Sequence, residues 1–133
     1  MNWKIILYLT LVSLIIGIAS VFGLFNSNFM PLVMLIFSAV SGYVIAKKCN
    51  TQLFIHGVMV GLFSGILISV IQASMFNTYL LHNKESLDGF TGITGAMPTT
   101  SVILFLGPFI GIIYGIITGL IAKKLHKSKA QKK

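Results

Sequence analysis

Charge is what this chain lacks. Only 9% of its 133 residues are Asp, Glu, Lys or Arg, against about 25% in an ordinary soluble domain. Arginine is absent, and Glu85 and Asp88 are the only acids. A soluble domain of this size needs a polar skin that such a composition does not supply, so a soluble enzyme and a charged disordered chain are both excluded. Cys49 stands alone, which leaves no internal disulfide and no Cys-based zinc site. His56, His82 and His126 are too scattered for a local metal motif. Glu85 and Asp88 sit beside Lys84 and read as solvated loop charges. The stretch from Gly89 to Gly95 has glycines but no surrounding strand–turn–helix, so it is not a nucleotide fingerprint. With no paired acids and no nucleophile beside a base, no catalytic residue, metal site or cofactor is expected.

What is present is apolar. The hydrophobic set makes up 56% of the chain, with 13 glycines besides, and the mean hydropathy is +0.94. Four uncharged runs follow one another, over residues 5–25, 30–46, 53–81 and 101–122. At about 1.5 Å per residue each approaches or exceeds the roughly 30 Å hydrocarbon core. Within lipid only helices and closed barrels satisfy the backbone, and runs without two-residue alternation favour helices. The expected fold is all-α, an integral membrane four-helix bundle forming a single domain, with a basic tail over 123–133. Asn26-Ser27-Asn28 separates the first two runs, and Pro31 suits the opening turn of the second helix. Asn50 or Thr51 is the expected N-cap of the third. Lys4 and the small residues Gly17-Ile18-Ala19 have features of a signal peptide, but the apolar run exceeds an h-region, so a spanning helix is expected.

The placement of lysine gives an orientation. Four spans put both termini on one side, together with Lys4, Lys47, Lys48, Lys123, Lys124, Lys127, Lys129, Lys132 and Lys133; Lys84 falls on the other. Basic loops stay in the cytoplasm, so both termini are expected there. Arginine-free, Asn/Lys/Ile-rich usage points to an AT-rich bacterial genome, hence the bacterial inner membrane. Lys47, Lys48, Lys123, Lys124 and Lys127 are placed to meet anionic lipid headgroups. Nucleic acid is not an expected partner, because the tail has no aromatics and no fold to position it.

Glycine carries the clearest pattern. Gly57, Gly61 and Gly65 recur every four residues in the third run, and Gly107, Gly111, Gly115 and Gly119 in the fourth. That spacing lines one helix face and lets two backbones approach closely. Depth along antiparallel helices pairs Gly57 with Gly119, Gly61 with Gly115 and Gly65 with Gly111. Packing within the chain is favoured over an oligomer interface. Gly42, in Ser38-x-x-x-Gly42-x-x-x-Ala46, repeats the pattern more weakly. No Asp, Glu, Lys or Arg falls inside a run; intramembrane ionisable groups mark proton relays, so a proton-coupled transporter is not expected. His56, near the lysine end, is read as a neutral interfacial side chain rather than a pH-sensitive group. Gln72 marks the third helix emerging into water, with pore lining the alternative for both residues. Pro108 is expected to kink the fourth helix.

The segments Ser41-Gly42-Tyr43-Val44-Ile45-Ala46-Lys47-Lys48, His56 to Gly65, and Gly107-Pro108-Phe109-Ile110-Gly111 onward resemble small uncharacterised bacterial four-helix membrane proteins. That resemblance implies a membrane bundle and carries no functional residues. The expected role is non-catalytic: a structural or accessory subunit packing on itself or on a larger membrane partner. The alternatives are a small channel or facilitator and, further off, a holin-like pore former.

Overall fold

The computed structural model describes residues 1–25, 29–84 and 97–130. Among these the structure is all-α, with five helices and no strand: α1 (Trp3–Val21), α2 (Met30–Lys48), α3 (Leu53–Ser74), α4 (Phe76–His82) and α5 (Thr99–Ala130). Four of the five, all but α4, are long and apolar enough to cross a membrane.

The boundaries differ from the sequence expectation in ways that have local causes. The first apolar run was expected to stay helical to residue 25, yet α1 stops at Val21. Gly23 takes the left-handed conformation (φ 69°), its N–H donates to the Ser20 carbonyl (3.1 Å) and that of Leu24 to Ala19 (3.1 Å). This paired reverse bonding is a Schellman C-cap, which glycine forms without a Cβ penalty. Pro31 lies in the first turn of α2 as expected.

The third helix begins after Gln52, not after an Asn50 or Thr51 cap. Gln52 is left-handed (φ 53°) and no side chain caps the helix. The run expected to be helical over 53–81 is broken at Met75 (φ −109°, ψ 36°). Backbone bonds from Met75 to Ile71 (3.0 Å) and from Tyr79 to Met75 (2.9 Å) cross the break. The short α4 thereby turns onto the end of α1, where Asn83 Nδ2 donates to the Ser20 carbonyl at 3.2 Å.

The fourth apolar run forms α5, which continues through Pro108 and on past Ala122 to Ala130. The first part of the basic tail is therefore helical.

The helices pack in the order α1–α3–α5–α2. The largest interface joins α3 and α5, α1 lies along α3 and α2 along α5, while α1 and α2 barely meet. Parallel pairing of α1 with α3 follows from the contacts Asn2–His56 and Ser20–Gln72. That of α2 with α5 follows from Pro31–Tyr114 and Ala46–His126. The apolar core gathers toward the lysine end, where Ile6, Leu9, Phe37, Ile45, Val60 and Ala122 are buried. Most other large apolar side chains point outward: Leu7, Ile15, Leu24, Phe105 and Phe109 are all exposed. Toward the other end Val21, Met34 and Ile68 are also buried, and α1 and α5 stay in contact with α3.

Candidate functional site

Two features dominate the interior, a glycine seam and a groove beside it. At the seam α3 and α5 meet backbone to backbone. A Cβ built on Gly57 would run into the backbone of Gly119, one on Gly61 into Gly111 and Gly115, and one on Gly65 into Gly107 and Gly111. From the α5 side, a Cβ on Gly111 would meet Gly61 and Gly65, one on Gly115 would meet Gly57 and Val58, and one on Gly119 would lie 2.7 Å from the Phe54 carbonyl oxygen. Gly107 meets the side chain of Ser69. All seven glycines of the two stripes are consumed in this contact. Gly42 serves the neighbouring pair: a Cβ there would lie 2.8 Å from Ile121 Cγ2 and 2.9 Å from the Thr118 carbonyl oxygen. Such close approach allows dispersion and Cα–H contacts along the whole seam.

Buried hydroxyls take part mainly through their size. Ser13, Ser20, Ser69 and Thr118 each donate to a carbonyl three or four residues back in their own helix. Ser41 and Ser64, both fully buried, have no hydrogen-bond partner among the described residues. Only a few polar contacts tie helix to helix. Gln72 Nε2 donates to Ser20 Oγ (3.0 Å), Ser38 Oγ to the Tyr114 carbonyl (3.4 Å) and Tyr114 Oη to the Pro31 carbonyl (3.4 Å).

Where α2 diverges from α3 and α5, away from the lysine end, a groove of about 630 Å³ opens. This lies within the usual size of small-molecule sites, roughly 300–1,000 Å³. Met34, Ile68, Val102 and Leu106 make it apolar, and Ser69, Gln72 and Tyr79 add a polar margin.

His56 and Gln72 do not converge. His56 is 1% exposed at the lysine end. Its Nε2 accepts from the Asn2 N–H (2.7 Å) and its Nδ1 donates to the Gln52 carbonyl (2.8 Å), which assigns the neutral Nδ1–H tautomer. Both ring nitrogens are spent on structure. Gln72 lies at the opposite end of α3, its amide turned to α1.

Lys47, Lys48, Lys123, Lys124 and Lys127 are exposed at one end of the helices, and Lys47 lies 5.3 Å from the centroid of the Tyr43 ring. Glu85, Asp88, Lys132, Lys133, the Asn26–Asn28 turn and the Gly89–Gly95 stretch lie outside the described residues. Among those described, no three His, Cys, Asp or Glu gather into a metal site.

Sequence reasoning missed three residues that set this geometry. Asn83 is buried and bonds to the carbonyls of Ser20 and Tyr79. Tyr114 bridges α5 to α2. Asn2 anchors α1 on His56. Each is an isolated polar residue in or beside an apolar run, and no spacing rule flags a partner 50 or more positions away.

Searches against protein families, curated proteins and solved structures find no match to this chain.

Proposed function

We propose that this chain is a multi-pass protein of the bacterial inner membrane, with both termini cytoplasmic, that acts without catalysis as an accessory subunit. The observation that carries the reading is the use of the glycine stripes. They hold α3 to α5 within one chain, so an association with a partner falls to the apolar outer faces and to the groove beside α2. Four apolar helices with lysines gathered at one end support the membrane placement and, by the positive-inside rule, the orientation. The lysine belt then contacts anionic headgroups.

A channel reading draws less support. Ile6, Ile45 and Val60 fill the space between the helices at the lysine end, and His56 and Gln72, the residues a pore would use, lie at opposite ends of α3.

The test has two arms. Liposomes carrying the purified chain are expected to hold an ion gradient as well as empty ones, and a conductance would overturn the accessory reading in favour of a channel. Solubilised from its own membranes in mild detergent, the chain is expected to migrate with a stoichiometric membrane partner. Leu35→Trp, which fills the groove from α2, is expected to release that partner.

A further inference from the structure

We propose that the lysine end carries a discrete site for the phosphate of an anionic phospholipid, built from Lys4, Lys48 and the turn between α2 and α3. This rests on the reading that the lysine end meets the cytoplasmic headgroup layer, and it adds a defined site to the diffuse belt.

The site is a cavity of about 500 Å³ where the start of α1 lies against that turn. Asn2, Trp3, Lys4, Lys48, Thr51 and His56 are among its walls. Its shape is held from below. The imidazole of His56 joins the Asn2 N–H to the Gln52 carbonyl, so the first residues of α1 are pinned to the first turn of α3. The left-handed Gln52 then fixes the direction of the turn.

The charged groups among its walls are all cations. Lys4 and Lys48 line the cavity, and so does Met1 with the N-terminal amine. Neither α1 nor α3 has an acidic residue in its first turn, and neither N-cap side chain closes on its helix. The N-terminal dipole ends of α1 and α3 therefore carry no acidic side chain, while the opposite dipole end of α2 is offset by Lys47 and Lys48 in its last turn. Among the described residues there is no Asp or Glu to compete with an anion here. Phosphate oxygens fit this set: they accept from ammonium, amide and hydroxyl donors together.

The outer surface of α1 selects lipid as the source of the phosphate. Trp3 sits at the rim, 56% exposed, its ring tilted against that of Phe63 with centroids 6.5 Å apart. Indole rings favour the headgroup level. From Trp3 an exposed apolar stripe descends one face of α1 through Leu7, Leu11, Ile15 and Ile18. At about 1.5 Å per residue it runs on the order of 22 Å, more than the roughly 15 Å of one leaflet. A phosphodiester held between Lys4 and Lys48 leads its acyl chains onto this stripe. A free phosphate would use the cavity and leave the stripe idle.

Trp3, the only tryptophan, supplies the readout. The purified chain in neutral detergent is titrated with phosphatidylglycerol, phosphatidylcholine and inorganic phosphate while Trp3 emission is followed. Phosphatidylglycerol is expected to saturate at one per chain, with phosphatidylcholine and inorganic phosphate far weaker. Lys4→Gln with Lys48→Gln is expected to weaken phosphatidylglycerol by roughly 30-fold. Lys4→Arg with Lys48→Arg, and Lys123→Gln with Lys124→Gln, are expected to keep it. Equal weakening by the α5 pair would replace the site with a diffuse belt. Inorganic phosphate matching phosphatidylglycerol would make it a site for soluble anions. An unchanged Lys4/Lys48 variant would also overturn the proposal. Orientation is read separately, from labelling of Ser128→Cys (in a Cys49→Ser background) in intact cells and inverted vesicles. External labelling would remove the cytoplasmic reading and leave the detergent titration intact.

Discussion

The sharpest consequence of the seam is that a single methyl group at Gly61 should part α3 from α5. The three atoms nearest to a Cβ built there are the Gly111 carbonyl oxygen and the Cα and N of Gly115, all backbone and all inside 3.0 Å. No side chain can rotate away. Ordinary van der Waals contact begins at 3.4 Å, so in Gly61→Ala the helices must separate by about 1 Å, and a gap of that size forfeits a quarter to a half of each dispersion contact it opens. Overpacking of this kind costs about 1–3 kcal/mol. The seam repeats its contacts at Gly57 and Gly65, so the upper part of that range applies. Replacing glycine by alanine returns about 1 kcal/mol of helix propensity, leaving a net loss of about 2 kcal/mol. Gly17 is the internal control. There a Cβ would lie 3.0 Å from Ile71 Cδ1, the far end of a flexible side chain, and 3.4 Å from Ile68 Cα. Gly17→Ala should range from neutral to stabilised by about 1 kcal/mol, because the Ile71 rotamer absorbs the methyl and the same helix propensity is returned. The assay is reversible unfolding in mixed micelles with rising SDS mole fraction, followed by helical circular dichroism. If Gly61→Ala unfolds with the parent, or if Gly17→Ala falls as far as Gly61→Ala, then steric closure at the seam is not what holds the pair.

Three further outcomes test separate parts of the structure. His56→Ala removes both the acceptor for Asn2 N–H and the donor to Gln52 at a buried position; it should cost about 2 kcal/mol and hasten proteolysis near residue 2, and an unchanged N-terminal cleavage rate would argue against the anchor. Ser20→Cys with Gln72→Cys (Cys49→Ser background) should join α1 to α3 through a short thiol-directed crosslinker, since the native side chains meet at 3.0 Å; absence of the crosslink would mean these helices are not parallel neighbours. Cys49 is buried, and desolvation pushes its thiol above the ordinary 9.0, with the positive N-terminus pulling weakly the other way. Its native state therefore favours the neutral thiol, so this group's stabilising contribution is full below pH 9.0 and is lost as pH rises above it. Maleimide labelling should be slow at pH 7 and should climb about tenfold per pH unit toward that range; labelling at pH 7 as fast as a small free thiol would contradict the burial.

Periodic features of the fold were readable from sequence and singular ones were not. A four-residue glycine repeat is a statement about one helix face, and three glycines against four leave two registers, between which depth along the antiparallel helices chooses. That is how the pairing of Gly57 with Gly119 and Gly61 with Gly115 follows from the sequence. Helix ends are different in kind. In an apolar run hydropathy says nothing about where hydrogen bonding stops, since lipid and helix interior are equally apolar. Gly23 ends α1 inside such a run because it can turn left-handed, and Met75 breaks the third helix where no glycine or proline marks the place.

The same reasoning accounts for the isolated polar residues of the apolar runs. His56 and Gln72 stood out in the sequence for being polar in an apolar setting, and the structure gives each a partner brought close by folding, Asn2 for one and Ser20 for the other. An unpaired buried polar group costs several kcal/mol, and these two side chains, paired as they are, are withdrawn from chemistry. Exposed charges with nothing to satisfy them keep their reactivity toward ligands. Lys4 and Lys48 belong to that class: both are exposed, and no Asp or Glu stands near them among the described residues.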